Sequence, residues 1–97
     1  MSDSETIQVA FHETARPRFF ALVAEFFAQA SDIDRQRDEL RYRQLCTDYV
    51  HSLRRGLEDT AQDLLRQHQH QSGTAAAGLH LQQAISEYVH AFVQKTR

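Results

Sequence analysis

The stretch YVHSLRRG, residues 49–56, places a histidine and two arginines on a segment whose spacing predicts a helix. An imidazole can act as a nucleophile, so His51 is a candidate phosphoryl acceptor. His51 also lies at the border between the apolar and polar positions of that helix. An amphipathic side chain at such a border often serves only to cover the apolar face. We expect His51 to have this second, structural role.

The same residues resemble the His-x-Leu-Lys-Gly signature of histidine phosphotransfer domains, which are four-helix bundles with a solvent-exposed histidine. His51 and Leu53 match the signature, and Arg54 replaces its lysine. Arg55 occupies the glycine position and Gly56 follows one residue later, which rotates the glycine by about 100° around a helix. The resemblance implies a signalling module that accepts phosphate on His51. We keep this function as an alternative.

Three further histidines and one cysteine are candidates for metal binding or redox chemistry. His68 and His70 precede a predicted turn and His80 follows it, and imidazole is a common zinc ligand. Residues two apart on a helix point to nearly opposite sides, and no matching cysteine or carboxylate cluster accompanies them. Cys46 falls on an apolar stripe, where a free thiol packs as a small hydrophobic group. We therefore predict no metal site and no cofactor.

The strongest local concentration of positive charge comprises Arg35, Arg37, Arg41 and Arg43. Acidic residues alternate with these arginines, and the formal net charge of the chain is −2. A nucleic-acid-binding surface usually carries clustered basic charge without such compensation. A nucleic-acid-binding regulator that uses Arg35–Arg43 is therefore a second alternative, which we do not favour.

The sequence contains no arrangement typical of an enzyme. Its paired carboxylates lie in charge-alternating helical runs, which are typical of solvated surfaces. It has no glycine-rich phosphate loop, nucleophile elbow or metalloprotease motif. We expect a protein without catalytic activity.

Length and composition suit a single globular domain over residues 1–97. Hydrophobic residues make up 41% and charged residues 25% of the chain, which is ordinary for a folded domain. The longest apolar run, residues 19–24, is far shorter than a membrane span requires, and the N-terminus lacks the features of a secretory signal. A lone cysteine favours a reducing compartment. We expect a cytoplasmic protein that does not bind a membrane.

Apolar periodicity predicts an all-α fold, a small bundle of three to four helices. The central helix is predicted over about residues 32–69, capped by Ser31 or Asp32 and unbroken at Gly56. It forms a hairpin with a C-terminal helix over about residues 75–95.

The N-terminal third is less regular. Residues 17–30 predict a helix with Pro17 in its first turn, where the missing N–H is tolerated. Residues 5–15 fit both a helix face and a strand alternation. We favour a short helix or an arm, with residues 1–15 flexible or exchanged with a second copy.

The predicted helix over residues 17–30 is apolar around most of its circumference, and a central helix of about 57 Å is too long for a short helix to cover. We therefore expect a homodimer that buries the remaining apolar surface. The predicted dimer or partner interface consists of Phe19, Phe20, Phe26, Phe27, Leu40 and Tyr42. The corresponding function is an interaction module that binds another polypeptide through apolar helix faces, as an adaptor, secretion chaperone, immunity protein or regulator.

Overall fold

A computed structural model describes residues 3–68 and 74–97, and these residues form three α-helices and no strand. Helix α1 spans Asp3–Ala30, α2 spans Glu39–Gln67 and α3 spans Thr74–Thr96. The helices pack side by side into a bundle of 53 × 18 × 18 Å. The predicted all-α class and bundle architecture are confirmed for the described part of the chain.

Helix α2 runs antiparallel to α1, whereas α3 runs parallel to α1. Phe26, near the end of α1, contacts Tyr42 at the start of α2 and Phe92 near the end of α3. Earlier in α1, Phe11 contacts Tyr88, which precedes Phe92 on α3. The Tyr42 hydroxyl donates a 2.6 Å hydrogen bond to the carbonyl of Thr96 and thereby joins the two helix ends.

The core runs along the axis of the bundle and is built from apolar residues spaced three or four apart on each helix. This spacing aligns them on one face of each helix, and each large side chain contributes about 1.5–3 kcal/mol when it is fully buried. The largest fully buried side chains are Phe11, Phe26, Phe92, Ile7, Leu53, Leu57, Leu81 and Ile85.

The prediction of a separate helix that begins at Pro17 is wrong, because α1 begins earlier in the chain. Residues 5–15 form the first half of α1, and Pro17 lies inside the helix. An internal proline removes the hydrogen bond to the carbonyl of Glu13 and costs about 3 kcal/mol. The buried side chains of Phe11 and Phe19, on either side of Pro17, hold both halves of α1 in the same core. Tertiary packing thus overrides the local signal for a helix start.

The predicted start of the central helix at Ser31 or Asp32 is also wrong, because α2 begins at Glu39. The acidic segment before it forms a turn in which Asp34 Oδ1 accepts the backbone N–H groups of Gln36 and Arg37. Aspartate often competes with a helix in this way by bonding to nearby backbone groups. The side-chain bonds to the backbone thus come from Asp34, not from Ser31 or Asp32, and they close a turn.

Two other parts of the prediction have different outcomes. Helix α2 is continuous through Gly56, as predicted, and ends at Gln67, with His68 at its C-cap. The predicted helix end at residue 69, His70 and part of the turn predicted between His70 and His80 lie outside the described residues.

The length of α2 does not by itself require a second copy of the chain. Helix α1 has 28 residues and α2 has 29, so α1 covers nearly the full length of α2, about 43 Å. Helices α1 and α3 of the same chain cover the apolar face of α2. Any reason for a partner must therefore come from the outside of the bundle.

Candidate functional site

Helix α1 carries three exposed apolar side chains on the side that faces away from the core formed with α2 and α3. Val9, Phe20 and Phe27 are 48%, 62% and 46% exposed. Glu13 and Arg16 lie between Val9 and Phe20 on the same side, because steps of four, three and four residues return to one face of a helix. We call Val9, Glu13, Arg16, Phe20 and Phe27 the outer face of α1.

The position of the outer face follows from the contacts that α1 makes with its two neighbouring helices. On one side, Arg18 Nη1 donates to the carbonyl of Gly56, and Glu25 Oε1 accepts from the Tyr49 hydroxyl at 3.0 Å; both contacts join α1 to α2. On the other side, the ring of Phe19 contacts Tyr88 of α3. The remaining arc of α1 points to solvent.

A groove of about 320 Å³ runs beside the outer face, between α1 and α3. Its lining combines aromatic and aliphatic side chains with a few polar groups, as in sites that take apolar anchors. The groove and the outer face share Arg16 and Phe20. The lining residues are His12, Arg16, Phe19, Phe20, Glu87, Tyr88 and Ala91.

His12 is the most specifically placed polar group in this groove. Its Nδ1 lies 2.8 Å from the Tyr88 hydroxyl, and its ring lies edge-on to His80 with 6.2 Å between centroids. Burial, and then the charges of Arg16 and His80, lower the pKa of His12, against an opposite effect of Glu87. The neutral imidazole is therefore favoured here.

The residues predicted to form an interface fall into two groups. Phe19 and Phe26 are 5% and 0% exposed and belong to the core of the chain itself, so they are not accessible to a partner in this fold. Phe20, Phe27 and Leu40 remain exposed.

Tyr42 is half-buried at the end of the bundle. Its hydroxyl is held by Thr96, and the Arg35 guanidinium lies 4.7 Å from the centre of its ring. These intramolecular contacts already use much of its surface. Within the predicted interface, the accessible apolar surface is thus that of Phe20, Phe27 and Leu40.

His51 and Gly56 lie on different sides of α2. His51 is exposed, whereas Gly56 is buried against α1. A Cβ atom at residue 56 would lie only 2.8 Å from Arg18 Nη1. Because residue 56 has no side chain, the Arg18 guanidinium can lie close to the backbone of α2. It does not clear space beside His51, as the phosphotransfer signature would require.

The arginines predicted as an alternative nucleic-acid surface have local partners. Arg37 pairs with Asp34, Arg41 pairs with Asp38 and Arg43 pairs with Glu39, and Arg35 stacks on Tyr42 as described above. These exposed pairs add little stability, but they cancel much of the positive charge at short range.

Groups considered for metal or redox chemistry are dispersed. His80 lies beside His12, whereas His68 caps α2. Within residues 3–68 and 74–97, no three His, Cys, Asp or Glu side chains are arranged to hold a metal ion. Cys46 is half-buried and packs against the core.

Sequence reasoning missed the outer face as a distinct unit. It grouped Phe19 with Phe20 and Phe26 with Phe27, although neighbours on a helix point about 100° apart. The steps of four, three and four residues from Val9 to Phe20 were a usable signal. The contact of His12 with Tyr88, 76 residues away, had no sequence signal.

The chain matches no protein-family model, no curated protein and no solved structure. Within the described residues, none of the helices has the combination of length and apolarity needed to cross a membrane.

Proposed function

We propose that this protein is a non-enzymatic interaction module that binds a helical segment of another polypeptide along the outer face of α1. The observation that carries the proposal is the exposure of Phe20 and Phe27 on a helix whose opposite side already fills the core. Exposed apolar residues that share one face mark an interaction surface more often than isolated ones do. An adaptor, secretion chaperone, immunity protein or regulator would work in this way.

The shape of the surface favours a helix as the bound segment. An amphipathic helix presents anchors at steps of three and four residues, which is the spacing of Val9, Glu13, Arg16 and Phe20 on α1. The groove beside Phe20 offers a place for one additional apolar anchor. A bound helix lying along α1 would extend the bundle by one helix.

The alternatives have weaker support. For phosphotransfer, His51 is exposed as required, but Gly56 serves the contact with Arg18. For nucleic-acid binding, three of the arginines in the range 35–43 are in ion pairs. We therefore retain protein binding as the function, and we place the protein in the cytoplasm, where Cys46 would remain reduced.

Site-specific photo-crosslinking tests the proposal directly. A benzophenone amino acid at residue 20, expressed in the native host, should give a covalent adduct with a discrete polypeptide. The matched control is residue 79, because Leu79 is even more exposed at 76% but lies on α3. Equal adducts from both positions, or none from residue 20, would contradict an interaction surface on α1.

A second measurement shows whether the captured polypeptide binds through the outer face. The purified polypeptide should bind the wild-type protein and lose at least tenfold in affinity with Phe20→Asp, while Leu79→Asp leaves the affinity unchanged. Truncating a central aromatic anchor typically has an effect of this size or larger. Equal loss with both variants would indicate general hydrophobic adhesion.

A further inference from the structure

The first four residues of the outer face form a self-complementary series. Val9, Glu13, Arg16 and Phe20 follow steps of four, three and four residues, the spacing of a coiled-coil seam. Read in one direction the series is apolar, acidic, basic, apolar. A second copy placed antiparallel presents apolar, basic, acidic, apolar to it.

We infer that the helical segment bound by α1 is α1 of a second copy of this chain, in an antiparallel pair whose two-fold axis passes between residues 14 and 15. In this register Val9 of each copy faces Phe20 of the other, and Glu13 of each copy faces Arg16 of the other. A two-fold interface requires such self-complementarity, since the same surface appears on both sides. The inference rests on the proposed function of the outer face.

The charges of Glu13 and Arg16 favour a second copy of this chain over a purely apolar partner. Neither Glu13 nor Arg16 is in an ion pair within the described part of the chain. The antiparallel pair brings the carboxylate of each copy against the guanidinium of the other, twice by symmetry. Arginine and carboxylate can form two parallel hydrogen bonds, and such charge-assisted pairs are stronger than neutral ones. An apolar surface without charges would leave both groups buried and unpaired.

The charges of Glu13 and Arg16 also favour this register over one shifted along the helix. A two-fold axis at residue 18 would pair Val9 with Phe27 of the other copy and Arg16 with Phe20. That arrangement covers more apolar surface, but it places Glu13 against Val23, where the carboxylate loses water without gaining a partner. The register centred between residues 14 and 15 satisfies both charges and leaves Phe27 at the edge.

The expected dimer is weak because the surface is small. Phe20 is 62% exposed and Val9 is 48% exposed, and a phenylalanine buries about 150–250 Å² in total. The contact therefore falls at the low end for protein pairs, where dissociation constants on the order of 10–100 µM are typical of transient association. A rapid monomer–dimer equilibrium should be visible in that range.

Charge exchange tests the pairing of Glu13 with Arg16 of the other copy. Sedimentation velocity over roughly 5–500 µM should show dimers of the wild-type chain. Glu13→Arg alone and Arg16→Glu alone should each weaken the dimer about tenfold, because like charges then face each other. The double variant with both changes should restore it to within about threefold. Both residues are exposed, and circular dichroism verifies that each variant is folded.

Disulfide trapping tests the register. In a Cys46→Ser background, Val9→Cys with Phe20→Cys should form a covalent dimer on oxidation, whereas Val9→Cys with Phe27→Cys should not. Each single variant serves as a control. In this register identical residues are about 16 Å apart along the axis for residues 9 and 20, and about 37 Å apart for residue 27, whereas a disulfide needs Cα atoms within about 7 Å. Trapping through residues 9 and 27 would overturn the register.

The two proposals can fail separately. A wild-type chain that stays monomeric to about 500 µM, or a double charge variant that does not recover, overturns the pairing with a second copy. A photo-adduct between residue 20 and a different polypeptide would then still support the proposed function. A photo-adduct of twice the chain mass, 11.2 kDa per copy, supports both.

Discussion

Replacing Phe26 and Phe20 in turn by alanine tests the orientation of α1, which determines both the core and the outer face. The two residues are chemically identical and lie on the same helix, but Phe26 is 0% exposed and Phe20 is 62% exposed. Phe26 contacts the rings of Tyr42, Tyr49 and Phe92 with centroids 5.6–5.8 Å apart. Its removal empties the centre of an aromatic cluster that joins all the described helices.

The two variants should lose very different amounts of free energy of unfolding. Phe26→Ala should lower the free energy of unfolding by about 3–5 kcal/mol, the usual cost of a phenylalanine deleted from a core. Phe20→Ala should cost about 1 kcal/mol, because less than half of its side chain is buried and full burial contributes only about 1.5–3 kcal/mol. A domain of this size is stabilised by about 5–15 kcal/mol in total. Phe26→Ala therefore removes a large part of it.

Urea unfolding followed by far-UV circular dichroism measures both losses. With a slope of about 1–3 kcal/mol per molar urea, the midpoint should fall by roughly 2 M for Phe26→Ala and by about 0.5 M for Phe20→Ala. The protein must be dilute enough to be monomeric, so that a dimer contact does not add to the effect of Phe20. Similar losses for the two variants would show that α1 is rotated by about 100° from the orientation described, and the outer face would then not exist as defined.

Three further predictions concern α2 and the groove. In the same urea assay, Leu57→Ala should lower the free energy of unfolding by about 2–5 kcal/mol, and His51→Ala by less than about 1 kcal/mol. The reverse order would show that the buried face of α2 is assigned wrongly. Because the pKa of His12 is lowered on folding, the unfolded chain takes up a proton first, so stability should be full above about pH 6.5 and should decline as the pH falls below it. A His12→Gln variant should flatten that part of the pH profile, and an unchanged slope would refute the assignment. Gly56→Ala should change stability by less than about 1 kcal/mol, because the gain in helix propensity offsets the displaced Arg18 contact. In an Arg18→Ala background the same change should stabilise by about 1 kcal/mol, and a loss of stability in both backgrounds would show that Gly56 has another role.

The fold was predictable where the apolar residues of a helix occupy one arc. On α2, Leu53, Leu57 and Ala61 recur at steps of four and are all buried; on α3, Leu81, Ile85 and Val89 follow the same rule. Polar residues occupy most of the exposed positions of both helices, with Leu40 and Leu79 as large exceptions. One orientation therefore removes most of the apolar side chains from water. Sequence alone therefore determined these two helices and their buried faces.

The candidate site was predictable only in part. The sequence indicated that aromatic residues of α1 form an interface, and Phe20 and Phe27 are exposed. It also assigned Phe19 and Phe26 to that interface, and both are in the core. The groove around His12 was not predicted, since its partner Tyr88 is 76 residues away in the chain.

What the tertiary structure decided is the orientation and continuity of α1. Apolar residues surround this helix, so several orientations bury similar amounts of hydrophobic surface and periodicity cannot distinguish between them. The contacts of Arg18 with Gly56, of Glu25 with Tyr49 and of Phe19 with Tyr88 select one orientation. Packing against two neighbouring helices also carries α1 through Pro17, against its local preference. The composition of α1 thus determined that it would be helical and apolar, but only its neighbours determined which apolar side chains remained on the outside.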